Sequence, residues 1–114
     1  MSNKFDLTQY KGKYVMHCAT KRQAEVFCDF LDKHGLTWCS GIKYIPDTNY
    51  CAYQAETCYD FNDGTYCRKQ RYLELGYCVL EFTSFDWKEY GYRLKPVPVF
   101  TYDQFMCSSV QEVR

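Results

Sequence analysis

The sequence has no long hydrophobic run, no glycine-rich loop and no surplus of either charge. No stretch approaches the roughly 18–20 apolar residues that span a bilayer, and residues 1–6 lack the apolar core of a signal peptide. Lys plus Arg and Asp plus Glu each total 14, so the formal net charge is zero. Nucleic-acid coats and polybasic membrane anchors depend on excess positive charge. We therefore expect a cytoplasmic protein that contacts no membrane and does not bind nucleic acid directly.

The eight cysteines lack the close spacing of a metal site. No two of them form a CxxC pair, and the closest two, Cys51 and Cys58, are seven residues apart. Zinc sites usually take ligand pairs about two to four residues apart, and a disulfide framework needs an oxidising compartment. We expect reduced thiols that pack as small hydrophobic side chains, with no metal and no cofactor. Disulfides and a metal site remain the alternatives.

Aromatic residues are abundant, with 12 Tyr, 8 Phe and 2 Trp in 114 residues. The chain is otherwise of ordinary globular composition, at 46% hydrophobic and 25% charged residues, and its length favours one domain. A core of this size does not plainly require so many rings. We therefore expect some of them to remain available for a partner, where tyrosine is a favoured contact residue.

The clearest local pattern is a strand followed by a helix. Residues 13–19 are rich in β-branched and aromatic side chains, which predicts a strand. Thr20 and Gln23 have the spacing of a capping box at the start of a helix. Apolar residues then recur at helical spacing from Ala24 to Leu31, and Gly35 can end the helix in the left-handed conformation.

The rest of the chain alternates short strands with turns. We predict strands at 36–39, 57–61, 65–67 and 77–83, a short helix at 68–75, and an extended segment at 93–102 that its prolines restrict to a sheet edge. The order predicts an α+β fold of βαββαβ-like order, with a single antiparallel or mixed sheet and helices on one face. Residues 1–106 would form this domain, including the extended C-terminal segment, and residues 107–114 a C-terminal tail.

The two histidines are explained by local structure. His17 lies within the first strand, and His34 lies in the last turn of the first helix, where the helix dipole favours a cation. A Cys–His pair could be drawn with any of eight cysteines, but no third orienting group is indicated. The sequence therefore predicts no catalytic residue and a non-enzymatic protein.

A tyrosine-rich acidic segment is the candidate binding surface. No Lys or Arg occurs from Tyr44 to Cys67, where tyrosines alternate with carboxylates, and three basic residues follow at once. The predicted contact set for a protein partner is Tyr50, Tyr53, Glu56, Tyr59, Asp60, Tyr66, Arg68, Lys69 and Arg71. The competing interpretation is a polar loop and hairpin whose tyrosines pack their rings inward and their hydroxyls outward.

Two alternatives remain, a small nucleotide at this surface and a second copy of the chain at another. Aromatic rings stack on bases and basic residues such as Arg68 meet phosphates, so the alternative function is a protein that sequesters a small signalling nucleotide. The apolar strip at 97–100 is a candidate edge for a homodimer, although its prolines discourage strand addition.

A set of residues scattered from Tyr14 to Phe82 carries a resemblance. The set comprises Val15, His17, Cys18, Thr20, Ala24, residues 27–31, Gly35, Trp38, Gly41, residues 57–59, Gly76, Tyr77, Glu81 and Phe82. In these residues the chain resembles small uncharacterised proteins carried by phages and mobile elements of bacteria. The resemblance implies a phage-type protein that acts by binding, for example an anti-CRISPR inhibitor. Its partner would be a host defence protein such as a CRISPR effector, in the cytoplasm of the bacterial host.

Overall fold

A computed structural model describes residues 4–92, in which helices flank a mixed four-stranded sheet. The elements in chain order are β1 Tyr14–His17, α1 Lys21–Lys33, α2 Tyr50–Tyr53, β2 Thr57–Asp60, β3 Thr65–Arg68, α3 Lys69–Glu74 and β4 Cys78–Glu81. The strands lie in the order β3-β2-β1-β4, with β1 antiparallel to β2 and parallel to β4, and β2 antiparallel to β3. The predicted α+β class and βαββαβ-like order are confirmed.

The predicted helix start after β1 has the expected hydrogen bonds. Gln23 N–H donates to Thr20 Oγ1 at 3.2 Å, and Gln23 Oε1 accepts the Ala19 N–H at 2.8 Å. Because these side chains satisfy N–H groups that a helix start leaves unpaired, α1 begins where the sequence predicts. Gly35, with a φ of +79°, ends it.

The larger core lies between the sheet and α1. Met16 and Tyr59 face it from adjacent strands, and Phe27, Phe30 and Trp87 fill it, all at most 2% exposed. Every aromatic side chain within residues 4–92 is at least half-buried. The expectation of spare exposed rings is therefore not met in this part of the chain, because the aromatic residues themselves build the core.

The second core lies on the opposite face of the sheet. Val15 and Cys58 are fully buried there beneath Tyr72 of α3. Successive strand residues point to opposite faces, so the burial of both Val15 and Met16 requires cover on both sides. The two longer helices accordingly lie on opposite faces of the sheet, whereas the sequence pattern predicted helices on one face.

The segment after α1 also differs from its prediction. Residues 36–39 form no strand, and only Thr37 makes an isolated antiparallel bridge, with Lys43. The chain turns at Gly41, which has a φ of +90°. Within residues 4–92 no helix is long and apolar enough to cross a membrane. The predicted segments at 93–102, 97–100 and 107–114 lie outside the described residues.

Candidate functional site

An open groove of about 490 Å³ lies between β3 and the loop that follows α1. Its lining residues are Trp38, Cys39, Ser40, Ile42, Asp47, Asn49, Gly64, Thr65 and Tyr66. We call it the Trp38 groove. Concave sites with aromatic and apolar lining are the usual places for ligand or partner side chains, so this groove is the candidate site.

The floor of the Trp38 groove is a cluster of tilted and edge-on aromatic rings, held in place by hydrogen bonds. The Trp38 ring lies 4.5 Å from that of Tyr44, 5.4 Å from that of Tyr66 and 5.9 Å from that of Tyr59, measured between centroids. Trp38 Nε1–H donates to the Asp47 carbonyl at 2.7 Å. The indole is thus fixed by ring contacts and by a hydrogen bond. It is 6% exposed, so the more accessible ring of the groove lining is that of Tyr66.

A glycine in the turn of the β2–β3 hairpin lines the groove and contacts the loop that carries Cys39. Gly64 has a φ of +74°, and a Cβ added there would lie 2.6 Å from the backbone nitrogen of Cys39. The Cys39 N–H donates to the Gly64 carbonyl at 2.9 Å. Only glycine lets the two segments approach this closely without strain, so Gly64 anchors the loop beside β3.

The rim combines an exposed apolar side chain with a single charge. Ile42 is 54% exposed, one of three large hydrophobic side chains that are exposed among residues 4–92. Asp47 is the only charged residue among those that line the groove. Within residues 4–92 its carboxylate meets no hydrogen-bond or ion-pair partner, and only its carbonyl is engaged. A ligand would meet an apolar floor, an apolar rim and one negative charge.

The four predicted tyrosines divide between the groove and the fold. Tyr66 lines the groove, and the ring of Tyr53 packs on that of Tyr66 with the centroids 5.9 Å apart. Both side chains are half-buried. Tyr50 donates its hydroxyl to the Ala19 carbonyl at 3.0 Å. Tyr59 is fully buried, with its hydroxyl donating to the Thr48 carbonyl at 2.7 Å. The prediction of Tyr59 as a contact residue is corrected, since its ring belongs to the core.

The predicted acidic residues do not line the Trp38 groove. Asp60 is 3% exposed and accepts the Asp63 N–H at 3.1 Å within the hairpin turn. Burial raises the pKa of Asp60, against the opposing effect of that hydrogen bond. Its prediction as a contact residue is corrected to a turn-stabilising role. Glu56 is exposed, before β2.

The predicted basic residues lie at or beyond the end of β3. Arg68 is exposed at the end of this strand. Lys69 and Arg71 belong to α3, which packs on the other face of the sheet, and they pair with Glu81 at 3.0 Å and Glu74 at 3.9 Å. The predicted set is therefore not one continuous surface. Alternation along the chain could not show this, because the sheet separates residues that are close in sequence.

A charged cluster joins β1, β4 and α3. Nδ1 of His17 lies 2.7 Å from Glu81 Oε1, and Lys69 Nζ lies 3.0 Å from Glu81 Oε2. Burial opposes the ionisation of Glu81, but the hydrogen bonds from His17 and Lys69 outweigh it and lower the pKa of the carboxyl. Nε2 of His17 lies 2.7 Å from the Ala55 carbonyl. Both ring nitrogens of His17 are therefore occupied.

The buried thiol opposite this histidine is not activated. Cys58 pairs with His17 in the β1–β2 register and is fully buried. Burial raises the pKa of Cys58 to about 12, whereas a nucleophilic thiol needs a lowered pKa. The cluster therefore ties three elements together and lacks the arrangement of a nucleophile and base. Among residues 4–92 no group of three or more His, Cys, Asp or Glu side chains is placed to hold a metal.

A second cavity of about 490 Å³ adjoins the groove. The two share Asp47 and Asn49, and the second one also includes Lys21 at the start of α1. Two non-glycine residues with positive φ line it, Asn49 at 59° and Gln54 at 50°. The second cavity and the aromatic groove thus meet along one short segment of backbone.

Of the residues that line the groove, sequence reasoning selected only Tyr66 as a contact residue. Local pattern predicts a strand at Trp38 and no regular element around Ile42 and Asp47. A signal was present in Ile42, a single large apolar residue between Gly41 and Lys43 in a turn. An isolated apolar residue on a surface is common, so only its position beside Trp38 gives it meaning.

Comparisons with known proteins identify no relative of this chain. No family model matches the chain, and neither a curated protein nor a solved structure gives a significant match.

Proposed function

We propose that this chain is a non-enzymatic binding protein that acts by occupying a protein surface, with the Trp38 groove as its contact site. The observation that carries the proposal is the fixed aromatic floor beside the exposed Ile42. Aromatic anchors in well-packed pockets supply most of the binding energy at protein interfaces. A groove that is already formed also avoids the entropy cost of ordering loops on association.

The non-enzymatic part of the proposal is supported by how the titratable groups are used. The His17 ring nitrogens face Glu81 and the Ala55 carbonyl. A general base needs a free nitrogen within reach of a substrate proton, and this histidine offers none in the described conformation.

We further propose that the bound protein belongs to a bacterial defence system, with a CRISPR effector as the specific case. This narrower proposal rests on the resemblance to phage and mobile-element proteins. Occupation of a surface is sufficient for inhibition, because a bound protein blocks the substrate or partner that would use the same surface. The chain would then act in the cytoplasm of the bacterial host.

The alternative, a nucleotide-binding protein, is less well supported by the groove. An aromatic floor suits a base, but the only charged lining residue, Asp47, repels phosphates. A thermal-shift assay with cyclic dinucleotides and ATP distinguishes the two functions, because a ligand that binds only the native state raises its melting temperature. We expect no shift, and a saturable shift that Trp38→Leu abolishes would favour the nucleotide function.

The main test compares two exposed apolar side chains in one assay. Bacteria carrying active CRISPR systems of several types are transformed with a targeted plasmid in the presence of the wild type, Ile42→Ser or Leu73→Ser. Leu73 is the matched control, because it is 49% exposed and lies on α3, outside the groove. We expect Ile42→Ser to lose roughly tenfold or more of the inhibition, while Leu73→Ser keeps it.

Folding and binding are checked separately. Both variants should unfold at the temperature of the wild type, since exposed substitutions rarely change stability by more than about 0.5 kcal/mol. Equal inhibition by Ile42→Ser and the wild type would exclude the groove as the contact site. A folded wild-type chain that inhibits none of the systems would remove the CRISPR proposal.

A further inference from the structure

The outer edge of β3 has backbone groups that the sheet does not use. The Cys18 N–H donates to the Thr57 carbonyl at 3.0 Å, so the backbone groups of Thr57 face β1. The backbone N–H and C=O groups of successive strand residues point to opposite sides. The N–H and C=O of Cys58 therefore face β3, where Cys58 pairs with Cys67. The backbone N–H and C=O of Cys67 therefore face β2. Those of the neighbouring residue, Tyr66, face away from the sheet.

Among residues 4–92, the Tyr66 N–H and carbonyl are unpaired at this edge. Neither group meets a hydrogen-bond partner within the described part of the chain, residues 4–92. The loop that carries Cys39 forms a backbone hydrogen bond with this edge only at Gly64, where the Cys39 N–H donates to the Gly64 carbonyl at 2.9 Å within the described residues. The Trp38 groove opens at this point and includes Tyr66 in its lining. These backbone groups of Tyr66 thus border the Trp38 groove beside its aromatic floor.

We propose that the Trp38 groove binds an extended segment of its protein partner, which adds a strand to the β3 edge and directs a Lys or Arg side chain at Asp47. This inference rests on the proposed function and specifies its partner. Strand addition draws affinity from main-chain hydrogen bonds and specificity from pockets for alternate side chains. Tyr66 supplies one donor and one acceptor, and the groove supplies the pocket.

The charge of the segment follows from the residues around Asp47. Its carboxylate has no cationic partner within residues 4–92, although Lys21 lines the adjoining cavity. The partly exposed ring of Tyr66 attracts cations through its quadrupole, whereas Trp38 is 6% exposed. A Lys or Arg therefore gains from both the carboxylate and the Tyr66 ring, and an apolar neighbour in the segment fits against Ile42.

The experiment uses peptides as probes of the full chain. A displayed library of random twelve-residue linear peptides is selected on the immobilised protein, and the enriched sequences are synthesised and measured by fluorescence anisotropy. We expect them to carry a Lys or Arg beside an apolar residue. Asp47→Asn should weaken binding about fivefold, whereas Glu89→Gln, an exposed carboxylate outside the groove, should not.

A scan of N-methylated peptides tests the added strand itself. N-methylation removes a backbone donor and blocks close approach. Because only alternate residues of an added strand face β3, methylation at one set of alternate positions should weaken binding roughly tenfold or more. The other set should have little effect. Uniform sensitivity, or none, would overturn strand addition.

The outcomes separate this inference from the function on which it rests. Peptides that lose affinity on Ile42→Ser but tolerate every N-methyl group would leave the groove as the contact site and exclude the added strand. Enriched peptides that bind Ile42→Ser and Asp47→Asn as tightly as the wild type would also exclude the groove as the contact site. A selection that enriches no peptide would overturn the inference. A concentration-dependent dimer in light scattering that Ile42→Ser dissociates would identify a second copy as the occupant, which also overturns it.

Discussion

The two faces of the sheet are both buried, but they are packed differently. On the α1 face, Phe27 lies within 6.4 Å of the rings of Phe5, Phe30, Tyr59, Phe61 and Trp87. On the α3 face, the one ring that Tyr72 contacts within residues 4–92 is that of Tyr77, at 4.9 Å. The α1 face is a broad aromatic core, whereas the α3 face is a small cluster with charged residues at its end.

This difference shows how the chain uses its aromatic residues. Most of the rings stabilise one face, and the Trp38 groove lies where that aromatic packing reaches the sheet edge at Tyr66. The α3 face instead uses the contacts of His17, Glu81 and Lys69. Binding is therefore expected at the border of the aromatic core, where rings are held by neighbours yet remain accessible, and not on the more highly charged face.

The largest expected effect comes from removing one ring on each face. Phe27→Ala should lower the free energy of unfolding by about 4 kcal/mol, because it leaves a cavity among fixed rings. Tyr72→Ala should cost roughly 1–2 kcal/mol less, since its small cluster can relax more readily. Urea denaturation of both variants gives the two values. Equal losses would show that the two faces are equally well packed.

A pair of buried tyrosines on the α1 face gives the next effect. Tyr59→Phe removes the hydroxyl that donates to the Thr48 carbonyl, and we expect a loss of about 1 kcal/mol. The buried hydroxyl of Tyr44 has no partner within residues 4–92, so Tyr44→Phe should leave stability unchanged or raise it. Thermal unfolding ranks the two variants. A clear loss of stability in Tyr44→Phe would show that the Tyr44 hydroxyl has a hydrogen-bond partner.

The smallest effect concerns the charged cluster on the α3 face and depends on pH. The lowered pKa of Glu81 means that its stabilisation is complete above the ordinary carboxyl pKa and is lost as pH falls through the lowered value. Glu81→Gln should cost about 1 kcal/mol near pH 7, a modest amount because the side chain is 42% exposed.

Urea denaturation over a range of pH gives the measurement. The difference between Glu81→Gln and the wild type should disappear in acid. Glu74→Gln is the control, since its pairing with Arg71 at 3.9 Å is exposed on both sides and should contribute nothing measurable. A cost for Glu81→Gln that is the same in acid and at neutral pH would show that the cluster acts through packing alone.

Local sequence patterns predicted most of the elements but little of the groove. The Thr20 cap, the apolar stripe of α1 and the hairpin around Gly64 each depend on residues within a few positions of one another, and each is present. The groove depends on Trp38 meeting Tyr66, which are joined by the packing of a loop on a distant hairpin. Such a contact leaves no periodic trace in the sequence.

The sequence by itself determined the α+β class, the strand–helix start and the abundance of rings, because capping, periodicity and composition act over short distances along the chain. The tertiary structure alone decided which rings are buried, that α1 and α3 cover opposite faces, and that no hydrogen bond within residues 4–92 uses the Tyr66 backbone groups beside the Trp38 groove. These features depend on the order of strands in the sheet, and that order is set by contacts between residues far apart in the chain.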